Sequence, residues 1–224
     1  MTKRHKNLVL IALILAMMAT LAAMPIDQAQ LLEWGAAIAK HPLAIVAVVA
    51  LMAALMSIGL PGSVCFWLIA PFHAPWLATL MLVAGSSTGA FGAYKLGTRL
   101  GDGWQPRRAS RHVLRLLHER GDFPTQMALR VLPGFPHAVV NIAAGVLGLR
   151  LWIFLLAAVV GLSVKWGVYT SAVHGVRSAQ ASGSLLDASV MLPLLVLTAL
   201  LITGGVIRYQ VEKRQQKRRE NLTP

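Results

Sequence analysis

Four apolar runs, residues 8–24, 76–96, 151–173 and 185–207, decide what this chain can become. Each has about the 17–25 residues that a helix needs to cross a bilayer. A soluble core has no room for four such helices: 56% of the residues are hydrophobic and 13% are charged, against about 25% charged in ordinary soluble domains. The sequence therefore predicts an all-α polytopic membrane protein with about four transmembrane helices.

Two further apolar stretches differ in kind. Residues 43–72 are interrupted by Ile58-Gly59-Leu60-Pro61-Gly62, and residues 123–149 by Leu132-Pro133-Gly134-Phe135-Pro136. Proline removes a backbone donor and clashes with the preceding turn, while glycine frees the backbone. Each stretch is expected to split into two half-helices and to dip into the bilayer as a re-entrant hairpin. The charges support that count. Lys and Arg number 21 against 8 Asp and Glu, an excess that reads here as a topology signal rather than a nucleic-acid surface. With a cytoplasmic N-terminus and two re-entrant hairpins, only Lys40 and Arg177 fall in the outside connections. Full crossing by one hairpin alone would put the basic residues on the wrong side. The expectation is a multi-pass protein of a bacterial inner membrane, both termini cytoplasmic.

The organisation read from the chain is a first helix within 1–25, a core at 26–184, a last helix at 185–208 and a basic tail at 209–224. The first helix is expected to be retained, since residues 20–25 make a poor signal-peptidase site. A broken segment followed by a helix occurs twice, from opposite sides, which is the coarse pattern of an inverted repeat of two opposed re-entrant hairpins. Such repeats place substrate where the breaks meet. The single cysteine, Cys65, makes no intrachain disulfide or metal site by itself.

Gly85, Gly89, Ala93, Gly97 and Gly101 recur every four residues and predict close helix packing. Residues 105–120 read as a basic amphipathic helix lying on the inner leaflet, with Arg108, Arg111 and Arg115 on one face and Ala109, Val113 and Leu116 on another. The sharpest chemical signal is Arg130, which stands in an apolar hairpin with no acid to pair with. A guanidinium beside freed backbone N–H groups and half-helix N-termini suits a phosphate. Lys165 lies mid-helix and is expected to face the bundle or a cavity. No Walker A, GxSxG or HExxH pattern occurs, so neither an enzyme, a metal nor a cofactor is expected.

Four motifs in order carry a family resemblance. They are Leu60-Pro61-Gly62-Ser63; Tyr94-Lys95-Leu96-Gly97 with Gly101; Arg130-Val131-Leu132-Pro133-Gly134-Phe135-Pro136 followed by Asn141 and Ala144-Gly145; and Gly161 with Trp166 and Gly175. Over roughly residues 43–175 the chain resembles the DedA superfamily of SNARE-associated, VTT-domain membrane proteins. The resemblance implies two opposed re-entrant hairpins and lipid translocation, with Arg130 as the phosphate-binding arginine. Two positions depart from the family pattern. The first hairpin continues Ser63-Val64-Cys65 without an acid, and Pro136-His137 stands where many members have a second arginine.

The function expected is therefore a flippase or scramblase-like transporter for a phosphate-bearing lipid, such as a polyprenyl phosphate or a phospholipid. Its substrate site is expected at Arg130, Pro133, Gly134, His137, Asn141 and Lys165, with Pro61 and Gly62 opposite. His137 is also a candidate titratable group. Membrane lipids are the expected partners, and a homo-oligomer is left open. The alternatives are a small-ion or solute transporter and a non-transporting homeostasis or assembly factor.

Overall fold

A computed structural model describes residues 41–101, 104, 111–132, 135–182 and 191–206, together with 33, 35–37 and 39. The chain forms two compact units, Met1–Ile38 and Ala39–Pro224. In the first, residues 33 and 35–37 are helical. The predicted helix at 8–24 and the basic tail at 209–224 lie outside the described residues. All that follows concerns the second unit.

The described residues are helical, without strands. The helices are α1 (Pro42–Ser57), α2 (Ser63–Ile69), α3 (Pro75–Leu100), α4 (Arg111–Glu119), α5 (Phe123–Val131), α6 (His137–Val146) and α7 (Leu151–Ser182), followed by α8 (Met191–Val206). Among them, α3 and α7 are long and apolar enough to cross a membrane. Their 26 and 32 residues span about 39 and 48 Å at 1.5 Å per residue, beyond the ~30 Å of a hydrocarbon core. Helix α7 runs past the predicted end at residue 173. Of the predicted last helix, the described part is α8, a shorter apolar helix.

Both predicted interruptions are present. Helix α1 stops where Gly59 takes φ +83°; the Leu60 amide then reaches the Leu55 carbonyl at 2.9 Å and the Gly59 amide reaches Met56 at 3.2 Å. This is a Schellman ending, and its left-handed residue is one that glycine fills without strain. Helix α6 ends in the same way at Gly148, with Leu149 bonded back to Ala144. Helix α5 opens on Asp122, whose side chain accepts from the Thr125 amide at 3.1 Å. That contact holds the carboxyl below its ordinary range. It ends at Leu132, whose backbone is extended. The helices flanking the two breaks have 16, 7, 9 and 10 residues, so none reaches the ~30 Å core thickness alone.

Packing centres on α3, which touches α1, α2, α6 and α7. The predicted small-residue face does this. A Cβ on Gly85 would stand 3.1 Å from the Val49 carbonyl oxygen, and one on Gly89 would strike Met56. About two turns further, a Cβ on Gly97 would overlap the Ile142 carbonyl, and one on Gly145 the Tyr94 carbonyl. Backbones therefore meet directly where α6 crosses α3, and the Tyr94 hydroxyl closes that crossing by donating to the Leu149 carbonyl at 2.6 Å. In the second half, Gly161 of α7 takes the backbone of α5, with the Met127 oxygen 3.1 Å from where its Cβ would be. Across the halves, Phe66 of α2 stacks on Trp166 of α7 at 5.5 Å, and the Trp166 indole donates to Ser86 of α3 at 3.1 Å.

One expectation is corrected. Over its described residues helix α4 is basic and amphipathic as predicted, with Arg111 and Arg115 exposed and with Arg108 and Ala109 outside the described residues, but its apolar face packs on protein. Val113 and Leu117 are fully buried against Leu129, Phe135, Val140 and Ala143 of the second broken pair. The pattern was right and the partner surface wrong, because an apolar stripe fits a protein groove as readily as a bilayer.

These contacts predict two stability effects. Gly145→Ala forces backbone apart and should cost about 1–3 kcal/mol, whereas Gly167→Ala, with open space at its Cβ, should be neutral or slightly stabilising. Thermal unfolding in detergent would separate them, and equal melting temperatures would contradict the packing account. Leu117→Ala should cost roughly 2–5 kcal/mol if α4 is packed on protein; a change near zero would return that face to lipid.

Candidate functional site

The two interruptions face one another across a cavity of about 350 Å³. Gly59, Leu60, Pro61, Gly62 and Ser63 form one side; Phe135, Pro136, His137, Ala138 and Asn141 form another; Lys165 and Trp166 of α7 and Met52 and Met56 of α1 complete it. The volume lies at the small end of the ~300–1,000 Å³ of ligand sites. Among the described residues, the lining contains a lysine and no carboxylate.

Local sequence explains the placement. Chain breaks bring irregular backbone to the cavity, since neither Pro61 nor Pro136 can continue a helix. Gly62 is buried against Met52 and Met56, whose side chains would stand 3.0 and 3.1 Å from a Cβ there. His137 and Ala138 open α6 and line the cavity. Their amides precede the helix's own hydrogen-bond ladder, so helix geometry leaves them without an intrahelical acceptor. With the helix dipole, that end favours negative charge.

Lys165 of α7 lines the cavity beside His137. Its ammonium lies 2.7 Å from Nε2 of His137, over the Trp166 ring at 4.9 Å and near the Tyr169 ring at 5.7 Å. Cation–π attraction and one hydrogen bond hold it. Arg130 is placed differently. It is 1% exposed and does not line the cavity. Its guanidinium donates to the Gln126 carbonyl at 3.0 Å and to Oδ1 of Asn141 at 3.4 Å, and it lies 4.6 Å from the centre of the Phe154 ring. Asn141 connects the two environments, since it lines the cavity and accepts from Arg130.

Of the residues singled out from sequence, the structure brings Pro61, Gly62, His137, Asn141 and Lys165 into one cavity and sets Arg130 one side chain behind it. Pro133 and Gly134 lie outside the described residues. Sequence reasoning missed the aromatic support: Phe154 beneath Arg130, and Trp166 with Tyr169 around Lys165. A tyrosine four residues after a mid-helix lysine was the available signal, because that spacing returns to the same side of a helix.

No curated protein and no solved structure matches the chain. The VTT domain family matches residues 37–175, which includes both interruptions, α3, the cavity and most of α7. That stretch covers more than half of the 224 residues, and the chain belongs to the VTT-domain, DedA/SNARE-associated family of membrane proteins.

Proposed function

We propose that this membrane protein moves a phosphate-bearing lipid between leaflets, its headgroup passing through the cavity where the two interruptions meet. One observation carries the reading. Two cations, Lys165 in the wall and Arg130 behind Asn141, serve a cavity whose lining, among the described residues, holds no carboxylate. Buried positive charge without an acidic partner is costly in an apolar setting. A phosphate entering the cavity would supply the missing negative charge, with the first amides of α6 as further donors.

Size and surroundings favour a lipid over a free solute. About 350 Å³ accommodates a headgroup but not a polyprenyl or acyl chain, so the chain would stay outside. The rim residue Leu60 is exposed, and around it Ile58, Val64, Trp67 and Leu68 present apolar surface. Such a surface suits lipid tails and is a poor approach for a hydrated ion. The two broken pairs then act as opposed re-entrant hairpins in an inner membrane, with both termini in the cytoplasm as the basic residues suggest.

Two predictions follow from the cations. In liposomes carrying a labelled polyprenyl phosphate or a labelled phospholipid, the purified protein should speed exposure of the label in the opposite leaflet. Arg130→Ala and Lys165→Met should each slow it at least ~10-fold, the scale of one charge-assisted hydrogen bond. No movement above empty liposomes, for either lipid and with or without a proton gradient, would favour the solute-transport or assembly readings. Arg130→Met, which keeps volume and removes a buried charge, should leave the melting temperature unchanged or raised while transport falls. A fall of several degrees would instead make Arg130 a structural residue whose contacts outweigh its desolvation.

A further inference from the structure

The 2.7 Å contact between Lys165 and His137 constrains what each side chain can offer a ligand. An amine is the stronger base by about four pH units in model peptides, so the shared proton belongs to the lysine. The ammonium has three N–H donors and no acceptor; the contact therefore uses the lone pair of Nε2 on the imidazole. A second proton on that ring would place two cations in contact, with no carboxylate in the cavity lining to offset them. The imidazole that fits this geometry is neutral and carries its N–H on Nδ1.

Such a histidine has no hydrogen on Nε2 to give a phosphate and no charge to attract one. What it supplies is position. A lysine has four rotatable side-chain bonds, and ordering them costs binding free energy when a ligand must do it. Here the ammonium is already held from two sides, by Nε2 of His137 and by the Trp166 and Tyr169 rings, and N–H groups remain for a ligand. His137 is itself fixed as the first residue of α6, directly after Pro136.

We infer that His137 is a positioning residue: a neutral hydrogen-bond acceptor that holds the Lys165 ammonium in the cavity wall, where the ammonium rather than the imidazole meets the anionic headgroup. The assignment rests on the headgroup reading above for its consequence, but not for its chemistry. It also ties the second interruption to α7, so the cation and the α6 amides are kept on one cavity.

The test combines kinetics with a spectroscopic signature. In the liposome assay with labelled polyprenyl phosphate, His137→Ala should raise the half-saturating lipid concentration about tenfold while the maximal rate changes less than about threefold. His137→Gln, whose amide oxygen can accept from the ammonium, should recover most of that loss. In a Lys165→Met background, His137→Ala should have no further effect, since nothing is left to position. A glutamine variant as impaired as the alanine variant, or additive losses in the double variant, would overturn the assignment. On the full-length wild type in nanodiscs at neutral pH, 15N NMR of labelled histidine should show His137 protonated at Nδ1 only, with an Nε2 signal that moves on Lys165→Met. An imidazolium, or a proton on Nε2, would equally overturn it. This second arm does not involve transport. If the wild type moves no lipid, the transport reading fails, and the NMR result still decides the role of His137.

Discussion

The meeting of two backbones, at Gly97 of α3 and Gly145 of α6, sets the geometry on which everything else depends. Carbonyls occupy the space that side chains would need on both helices. Inside a bilayer, helix association gains little from the hydrophobic effect, because lipid tails are as apolar as the helices. Close contact and dispersion must do the work, and only glycine allows it. With α6 pinned to α3 there, and α1 pinned about three and two turns earlier at Gly85 and Gly89, the interruption after α1 and the one before α6 are brought to opposite sides of one space. The cavity is thus a consequence of packing rather than of any residue that lines it.

Into that space the chain places positive charge without its counterpart. Arg130 shows how such a charge is tolerated. Two carbonyl oxygens accept from it, and an aromatic face covers the guanidinium. Lys165 uses the same device with an imidazole and two rings. Neutral acceptors and π faces reduce the desolvation cost but leave the charge itself uncancelled. A carboxylate in either place would have been cheaper for stability and would have extinguished the attraction for an anion. Uncancelled charge in both places is better explained by an external anion than by folding.

Much of this was legible in the sequence, and the unread part has physical causes. The breaks were legible because Pro and Gly act locally: the Schellman ending at Gly59 depends on no distant residue. The helix-packing face was legible because a four-residue spacing of small side chains has few other uses. The partner of α4 was not, since Val113 and Leu117 show that a side is apolar without saying whether protein or lipid covers it. Arg130 was legible as a buried cation but not as one set behind the cavity, because depth within a bundle is a tertiary property. Nor did the sequence pair His137 with Lys165; 28 residues separate them, and only the crossing of α6 and α7 around α3 brings them into contact.

The two halves use one plan. In each, the first helix of a broken pair packs on a glycine of the long helix that follows: α1 on Gly85 and Gly89, α5 on Gly161. The second helix of each pair reaches across to the long helix of the other half, α6 to Gly97 and α2 to Trp166. This exchange is what a repeat gains from being interleaved rather than side by side. The chemistry is nevertheless unequal. The first interruption brings Leu60, Pro61, Gly62 and Ser63, none of them charged, while the second brings α6 amides, Asn141 and contact with both cations. A repeated plan thus holds an asymmetric site, in which, on the proposed reading, the second half would bind the headgroup and the first would supply an apolar rim. On that reading an anion crossing there would stay near one set of cations while its surroundings change, and a lipid whose tail never leaves hydrocarbon is the substrate that such a division would suit.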